Sequence, residues 1–130
     1  MTEFTNLEAA VLSLVCETDG KQLSRGQRQL LQTLLATAKV TERDNTGHGF
    51  YTTFEVDLAL PKLEGLGMID APSMKMDGLG DGTIMGFILW AEDGYPTTLE
   101  GFQCGDDAGK DVDLHEYDLG QLRAIESDWD

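Results

Sequence analysis

The residues that could carry chemistry in this sequence are mostly carboxylates, and the densest group lies towards the C-terminal end. Such a group can be a solvated loop, a surface that docks a basic protein, or a site for a divalent metal ion. A solvated loop is the simplest interpretation, and one histidine beside scattered carboxylates lacks the fixed spacing of a metal motif. If the group has a function, we predict that it binds a partner through Asp106, Asp107, Asp111, Asp113, Glu116 and Asp118.

Two further carboxylates, Glu42 and Glu100, lie in segments with strand-like alternation. A carboxylate that faces a concave apolar pocket can act as a general acid or base, although exposed strand positions are the simpler interpretation of both residues. Tyr51 could flank such a site, whereas Trp90 is predicted to belong to the core. The pocket hypothesis therefore consists of Glu42, Tyr51 and Glu100, in a pocket between helices and sheet.

Familiar catalytic motifs are absent from the sequence. It contains no Gly-x-Ser-x-Gly turn, no His-Glu-x-x-His helix and no phosphate-binding glycine loop with its lysine. The glycine-rich stretch that begins at Asp77 is similar to a calcium-binding loop, but Leu79 and Ile88 occupy positions where that loop needs oxygen ligands. We therefore predict no catalytic residue, metal ion or cofactor, and a binding role is favoured over an enzymatic one.

The charge of the chain limits its partners. The 130 residues carry a net charge of −15, and residues 66–130 hold 15 acidic against 3 basic side chains. Nucleic acids and anionic membrane surfaces are bound mainly through lysine and arginine, so direct binding to either is not expected. A basic protein is the complementary partner, because opposite charge accelerates association and selects partners.

Length and composition predict a single domain over residues 1–130. The chain is 41% hydrophobic and 25% charged, which is typical of a folded globular protein. The N-terminal segment is acidic and has no basic start or continuous apolar stretch, so neither a signal peptide nor a membrane span is expected. We therefore expect a cytoplasmic protein in which Cys16 and Cys104 are reduced, partly buried thiols.

Two amphipathic helices are predicted at the N-terminal end. Thr5-x-x-Glu8 and Ser24-x-x-Gln27 both have the pattern of a capping box, in which two side chains satisfy amides that the first helical turn leaves unpaired. Apolar residues then recur at three- and four-residue spacing, which places them on one helix face. The first helix is expected to end at residues 19–20, an Asp-Gly pair.

After the second helix the pattern changes to the alternation of strands. Turn residues at 45–49 and 93–96 predict two hairpins, whose strands cover residues 40–43 with 50–56 and residues 84–90 with 97–104. One of these predicted strands, over residues 84–90, does not alternate, because it is apolar at nearly every position. That strand is therefore expected to lie centrally with both faces covered.

The remaining segments complete the predicted fold. Residues 66–69 could form a short strand, and residues 70–82, which contain a proline and several glycines, are predicted to be a loop. The tail could form a last short helix through Leu119, Leu122, Ile125 and Trp129, although its glycine weakens that prediction. The fold class is therefore α+β: two N-terminal amphipathic helices packed on an antiparallel β-meander of four to five strands.

Three segments of the chain share a pattern with a known family. They are TGHGFYTTF at residues 46–54, GFILWAEDG at 86–94 and LEGF at 99–102. Together they resemble a family of small, uncharacterised bacterial proteins in which a Thr-Gly-x-Gly-Phe strand start precedes a Gly-Phe apolar strand, an Asp-Gly turn and a Leu-Glu-Gly-aromatic strand. The resemblance implies the hairpin architecture and a bacterial source, and it carries no activity to this chain.

Three functional hypotheses are compatible with the sequence. The first is a protein-binding or inhibitory module, similar in role to an immunity protein or antitoxin, that docks a basic partner. The second is a small-molecule binding protein or enzyme with a pocket between helices and sheet. The third is a homo-oligomer in which an exposed apolar face is buried by symmetry. Carboxylates scattered over a face favour docking, whereas carboxylates that converge in an apolar cavity favour chemistry.

Overall fold

The computed structural model describes residues 3–17, 23–47, 49–65, 67–77, 84–103 and 123–126. Within these residues the chain forms two helices followed by six strands: α1 (Asn6–Glu17), α2 (Arg25–Ala36), β1 (Lys39–Asn45), β2 (Gly49–Glu55), β3 (Met68–Asp77), β4 (Ile84–Glu92), β5 (Tyr95–Gln103) and β6 (Arg123–Glu126). The predicted combination of two helices with an antiparallel sheet is confirmed.

Both helices begin at the predicted capping boxes. The amide of Thr5 donates to Oε1 of Glu8 at 2.8 Å, and the amide of Glu8 donates to Oγ1 of Thr5 at 3.2 Å. Ser24 and Gln27 exchange the equivalent bonds at 2.8 and 3.2 Å at the start of α2. These reciprocal bonds satisfy amides that have no partner within the first turn. The predicted stop of the first helix at residues 19–20 lies outside the described residues.

The strands form one antiparallel sheet in the order β1-β2-β5-β4-β3-β6. Both predicted hairpins are present, since β1 pairs with β2 and β4 pairs with β5. Asp93 and Gly94 have φ angles of 52° and 83°, as the two central residues of a tight β4–β5 turn require. The predicted meander is wrong at one connection, because β2 and β3 follow one another in sequence but β5 and β4 lie between them in the sheet.

The sheet is also larger than predicted. The prediction of a loop over residues 70–82 is wrong for residues 70–77, which belong to β3, while residues 78–82 lie outside the described residues. β3 pairs with β4 from Met68 to Lys75. Pro72 falls where the register shifts between Ala71 and Met74, and such irregular positions are where a strand tolerates a residue without an amide proton. The predicted C-terminal helix is not confirmed: its described part, Arg123–Glu126, is a strand paired with β3, and the rest lies outside the described residues.

The core lies between the two helices and one face of the sheet, which we call the inner face. Buried side chains of both layers form one cluster: Leu7, Val11, Leu12, Val15, Cys16, Leu23, Leu31, Leu34, Val40, Phe50, Phe54, Val56, Leu63, Ile69, Met85, Phe87, Leu89 and Leu99. Along β4 the buried residues alternate with Ile88, which is half-buried, and Trp90, which is exposed. The prediction that β4 is covered on both faces is therefore wrong.

Two glycines let β2 and β5 approach closely. A methyl group on Gly49 would overlap the carbonyl oxygen of Gly101, and one on Gly101 would overlap the ring of Phe50. Phe50 is buried and lies directly opposite Gly101 in the register. The Thr-Gly-x-Gly-Phe and Leu-Glu-Gly-aromatic parts of the sequence pattern therefore meet in space, and Gly101 leaves room for the ring of Phe50.

We predict opposite effects for two glycine-to-alanine substitutions. Gly101→Ala should lower the free energy of unfolding by about 1–3 kcal/mol, because the buried Phe50 ring would have to leave its position. Gly26→Ala should raise it by about 0.5 kcal/mol, because Gly26 lies in α2 with nothing within 4 Å of the added carbon and alanine favours helix. Urea unfolding followed by circular dichroism measures both changes. Equal effects of the two substitutions would contradict the packing described for Phe50.

Candidate functional site

The described part of the chain buries one carboxylate, that of Glu8, which is only 3% exposed. Arg43 binds it with two nitrogens: Nε donates to Oε2 and Nη2 donates to Oε1, both at 2.9 Å. The hydroxyl of Thr52 also donates to Oε2, and the amide of Thr5 donates to Oε1. Because the carboxylate accepts four hydrogen bonds, its charge is compensated inside the fold.

An irregularity in β1 places Arg43 on the inner face. The register shifts between Val40 and Glu42, so Val40 opposes Phe54 while Arg43 opposes Thr52. Two residues three positions apart therefore both point towards the helices, which regular alternation would not allow. The sequence contains no motif that predicts this cluster. One signal is that Glu8 lies four residues before Leu12, on the face of α1 that is buried.

The environment of Glu8 favours its charged form. Burial acts against the charge, but the hydrogen bonds from Arg43, Thr52 and Thr5, together with the positive charge of Arg43, more than offset burial and lower the pKa of Glu8. The same contact raises the pKa of Arg43. A carboxylate that stays ionised and is occupied by a guanidinium group is not available as a general acid or base. The cluster is therefore structural: it joins α1 to β1 and β2.

The opposite face of the sheet, which we call the outer face, carries a second carboxylate with aromatic neighbours. Nε1 of Trp90 on β4 donates to Oε1 of Glu100 on β5 at 2.9 Å. Tyr51 on β2 lies directly opposite Glu100 in the register. The negative charge of the nearby Glu100 raises the pKa of Tyr51. We call Tyr51, Glu100 and Trp90 the outer triad.

The predicted site residues fall in two places. Glu42, Tyr51 and Glu100 all lie on the outer face, where Glu42 and Tyr51 are exposed and Glu100 is half-buried. They therefore do not line a pocket between the helices and the sheet, because the helices pack on the inner face. Trp90, predicted to be core, is 38% exposed. The acidic group predicted to bind a partner, Asp106, Asp107, Asp111, Asp113, Glu116 and Asp118, lies outside the described residues.

Further exposed side chains extend the outer face around the triad. Met68 on β3 lies opposite Trp90 in the register and is 41% exposed. Asp44 on β1 lies opposite Tyr51 and adds a second negative charge beside its hydroxyl. The outer face therefore combines exposed aromatic and thioether groups with carboxylates.

The two helices form a groove on the other side of the molecule. It has a volume of about 260 Å³ and is lined largely by apolar groups, including Phe4, Leu12 and Leu35. An adjoining cleft of about 330 Å³ is lined by Arg25 and by further polar side chains of α2. Among the residues that the structure describes, no three His, Cys, Asp or Glu side chains come close enough together to hold a metal ion.

Neither a protein-family model, nor a curated protein, nor a solved structure matches this chain. Within the described ranges, no helix has both the length and the apolar character needed to cross a bilayer. A functional assignment must therefore be drawn from the geometry of the two faces.

We predict that Glu8→Gln destabilises the fold strongly. The substitution leaves Arg43 opposite a neutral amide, so the free energy of unfolding should fall by about 2–4 kcal/mol. Urea unfolding at pH 7 measures the change. Glu42→Gln, which removes an exposed carboxylate from the neighbouring position of β1, is the matched control and should stay within about 0.5 kcal/mol of the wild type.

The contribution of Glu8 should also depend on pH. Its pKa is below the ordinary value of 4.5 in the folded protein, so the unfolded chain binds a proton first as the pH falls. Stability from the ion pair is therefore fully present above that value and is lost as the pH falls through the folded pKa. The difference in unfolding free energy between wild type and Glu8→Gln should be constant near pH 7 and shrink below about pH 4.5. A difference that stays constant down to pH 3 would contradict this account.

We predict that Glu100→Gln lowers the pKa of Tyr51 towards its ordinary value of 10.0. The amide has no charge to oppose the tyrosinate and is a weaker acceptor for the hydroxyl proton. NMR titration of the Tyr51 ring resonances measures the shift, with Tyr51→Phe used for assignment. Glu92→Gln, an exposed carboxylate at the far end of β4, should leave the Tyr51 titration unchanged. Identical Tyr51 titrations in wild type and Glu100→Gln would exclude the contact.

Proposed function

We propose that this protein is a protein-binding or inhibitory module whose outer face docks a basic protein. The role is similar to that of an immunity protein or antitoxin, which binds another macromolecule and has no substrate of its own. A cytoplasmic location and a bacterial source, which the sequence analysis predicts, belong to the same proposal.

The observation that carries the proposal is where the large exposed hydrophobic side chains lie. Within the described residues these are Tyr51, Leu58, Met68 and Trp90. Three of the four lie on the outer face, on three different strands, while Leu58 lies in the connection after β2. Tyrosine, tryptophan and methionine are enriched in protein interfaces, and tyrosine and tryptophan contribute much of the binding energy there. An exposed group of them on the sheet face opposite α1 and α2 therefore favours a docking surface.

Charge indicates the kind of partner. The chain has a net charge of −15, and the outer face presents the carboxylates of Glu42, Asp44 and Glu100 beside its aromatic groups. Such a surface attracts a positively charged protein and disfavours nucleic acid. The acidic group at residues 106–118, predicted to bind a partner, would strengthen the same attraction.

The distribution of carboxylates favours docking over catalysis. An active site needs ionisable groups that converge beside a cavity. Among the side chains that the structure describes, the carboxylate buried between helices and sheet is that of Glu8. Arg43 donates two hydrogen bonds to it. The carboxylates of Glu42, Asp44 and Glu100 are spread over an open surface. This arrangement supports a binding module better than the alternative of an enzyme with a pocket between helices and sheet.

The proposal predicts a partner whose retention depends on the outer face. Tagged protein is used to capture proteins from a lysate of its source organism, with washes at about 50 mM and then about 300 mM salt. We expect to recover one stoichiometric protein of high isoelectric point, with less of it retained after the wash at higher salt. The double variant Tyr51→Ser and Trp90→Ser should retain about tenfold less of this protein than the wild type.

Leu58→Ser is the matched control, because it removes an exposed hydrophobic side chain that lies off the strands of the outer face. It should retain the partner at the wild-type level. Circular dichroism verifies that all variants are folded. Recovery of no basic protein at low salt, or equal loss with Leu58→Ser, would overturn the proposal.

A further inference from the structure

The carboxylates of Glu8 and Glu100 have related surroundings. Glu8 is held by contacts between helix and sheet, and Glu100 by a contact between strands. Glu8 accepts a hydroxyl proton from Thr52 and a backbone N–H from Thr5, and Arg43 supplies the cation. Glu100 accepts a hydrogen bond from the indole N–H of Trp90, and Tyr51 lies directly opposite it in the register. In each case neutral neighbours help to orient the carboxylate.

The difference between them is the cation. Among the side chains that the structure describes, ion pairs join Arg43 to Glu8 and Lys62 to Glu64, and no lysine or arginine of that set pairs with Glu100. The basic side chain of β1 on the outer face, Lys39, lies opposite Glu55 at the far end of the strand pair. Among these described side chains, Glu100 therefore has a neutral donor and no compensating positive charge.

We propose that the outer triad receives one arginine side chain of the basic partner, with the guanidinium group paired to Glu100 and stacked on the rings of Tyr51 and Trp90. This inference rests on the proposed function and names the chemistry of its central contact. A carboxylate has about four acceptor positions, and the Trp90 N–H occupies one of them, so positions for a guanidinium group are left. The exposed rings on either side supply aromatic faces for the cation.

Arginine fits this arrangement better than lysine. The guanidinium group is planar, donates two parallel hydrogen bonds to a carboxylate and stacks on aromatic rings with little loss of hydration. A lysine ammonium is a strongly hydrated point charge that gains less from either contact. The triad is thus expected to discriminate between two partners of equal charge.

The test compares two peptides of equal length and charge, acetyl-(Gly-Arg)4-amide and acetyl-(Gly-Lys)4-amide, added to the full chain labelled with nitrogen-15. The indole N–H resonance of Trp90, assigned with Trp90→Phe, reports occupancy of the triad. We expect the arginine peptide to bind about three- to tenfold more tightly than the lysine peptide. We also expect Glu100→Gln to weaken binding of the arginine peptide about tenfold.

Glu92→Gln is the control for total charge, since it removes one exposed carboxylate outside the triad and should change either affinity less than about twofold. Tyr51→Phe keeps the ring and removes the hydroxyl, so it should weaken the arginine peptide by a smaller factor than Glu100→Gln. Equal binding of the two peptides, or equal effects of Glu100→Gln and Glu92→Gln, would overturn the arginine inference.

The failure of this inference is distinguishable from failure of the proposed function. If neither peptide moves the Trp90 resonance while a captured basic protein is still lost with the Tyr51 and Trp90 double variant, the arginine contact is wrong and the docking face stands. If capture also fails with the wild-type chain, both are wrong.

Discussion

The ion pair between Glu8 and Arg43 joins the first helix to the face of the sheet that the helices cover. Its two partners come from α1 and β1, and Thr52 adds a contact from β2. A buried carboxylate is tolerated only when its charge and its acceptor positions are satisfied. The position of α1 in which Arg43 can bind Glu8 is therefore stabilised. Arg43 reaches it because the register of β1 shifts after Val40. A small irregularity in an edge strand thus helps to fix the position of the first helix.

Covering one face leaves the other face open. The inner face carries the large apolar side chains of β2, β4 and β5, whereas the outer face presents Tyr51, Trp90 and Met68 beside carboxylates. The chain uses carboxylates differently on the two sides. Inside, Arg43 binds Glu8; outside, Trp90 donates a hydrogen bond to Glu100. The first arrangement stabilises the fold, and the second is the contact that we propose for an arginine of a partner.

Local sequence patterns predicted much of the fold because they depend on interactions within a few residues. The capping boxes at Thr5 and Ser24 located the starts of both helices, and Asp93-Gly94 located the β4–β5 turn. The order of the sheet could not be predicted in the same way. It depends on the contact of Phe50 with Gly101, which are far apart in sequence, and on a strand that continues past Pro72 through a shift in register.

The candidate site was predicted only in part. The sequence predicts Glu42, Tyr51 and Glu100 as functional candidates. The structure places them on one face, but that face is opposite the helices, whereas the predicted pocket lies between helices and sheet. Trp90 was assigned to the core because the run around it is apolar at nearly every position. Only the pairing of β4 shows that alternate side chains of the run point away from the helices. The inward position of Arg43 depends on a register shift that has no simple signal in sequence.

The proposed docking requires that the outer face is exposed in the free protein and covered in the complex. Hydroxyl-radical footprinting with mass spectrometry, applied to the free chain and to its complex with the captured basic protein, measures both states. We predict that Tyr51, Met68 and Trp90 are oxidised in the free chain and protected in the complex, while Phe87 on the inner face is unreactive in both. Equal oxidation of Tyr51 and Trp90 with and without the partner would contradict the account.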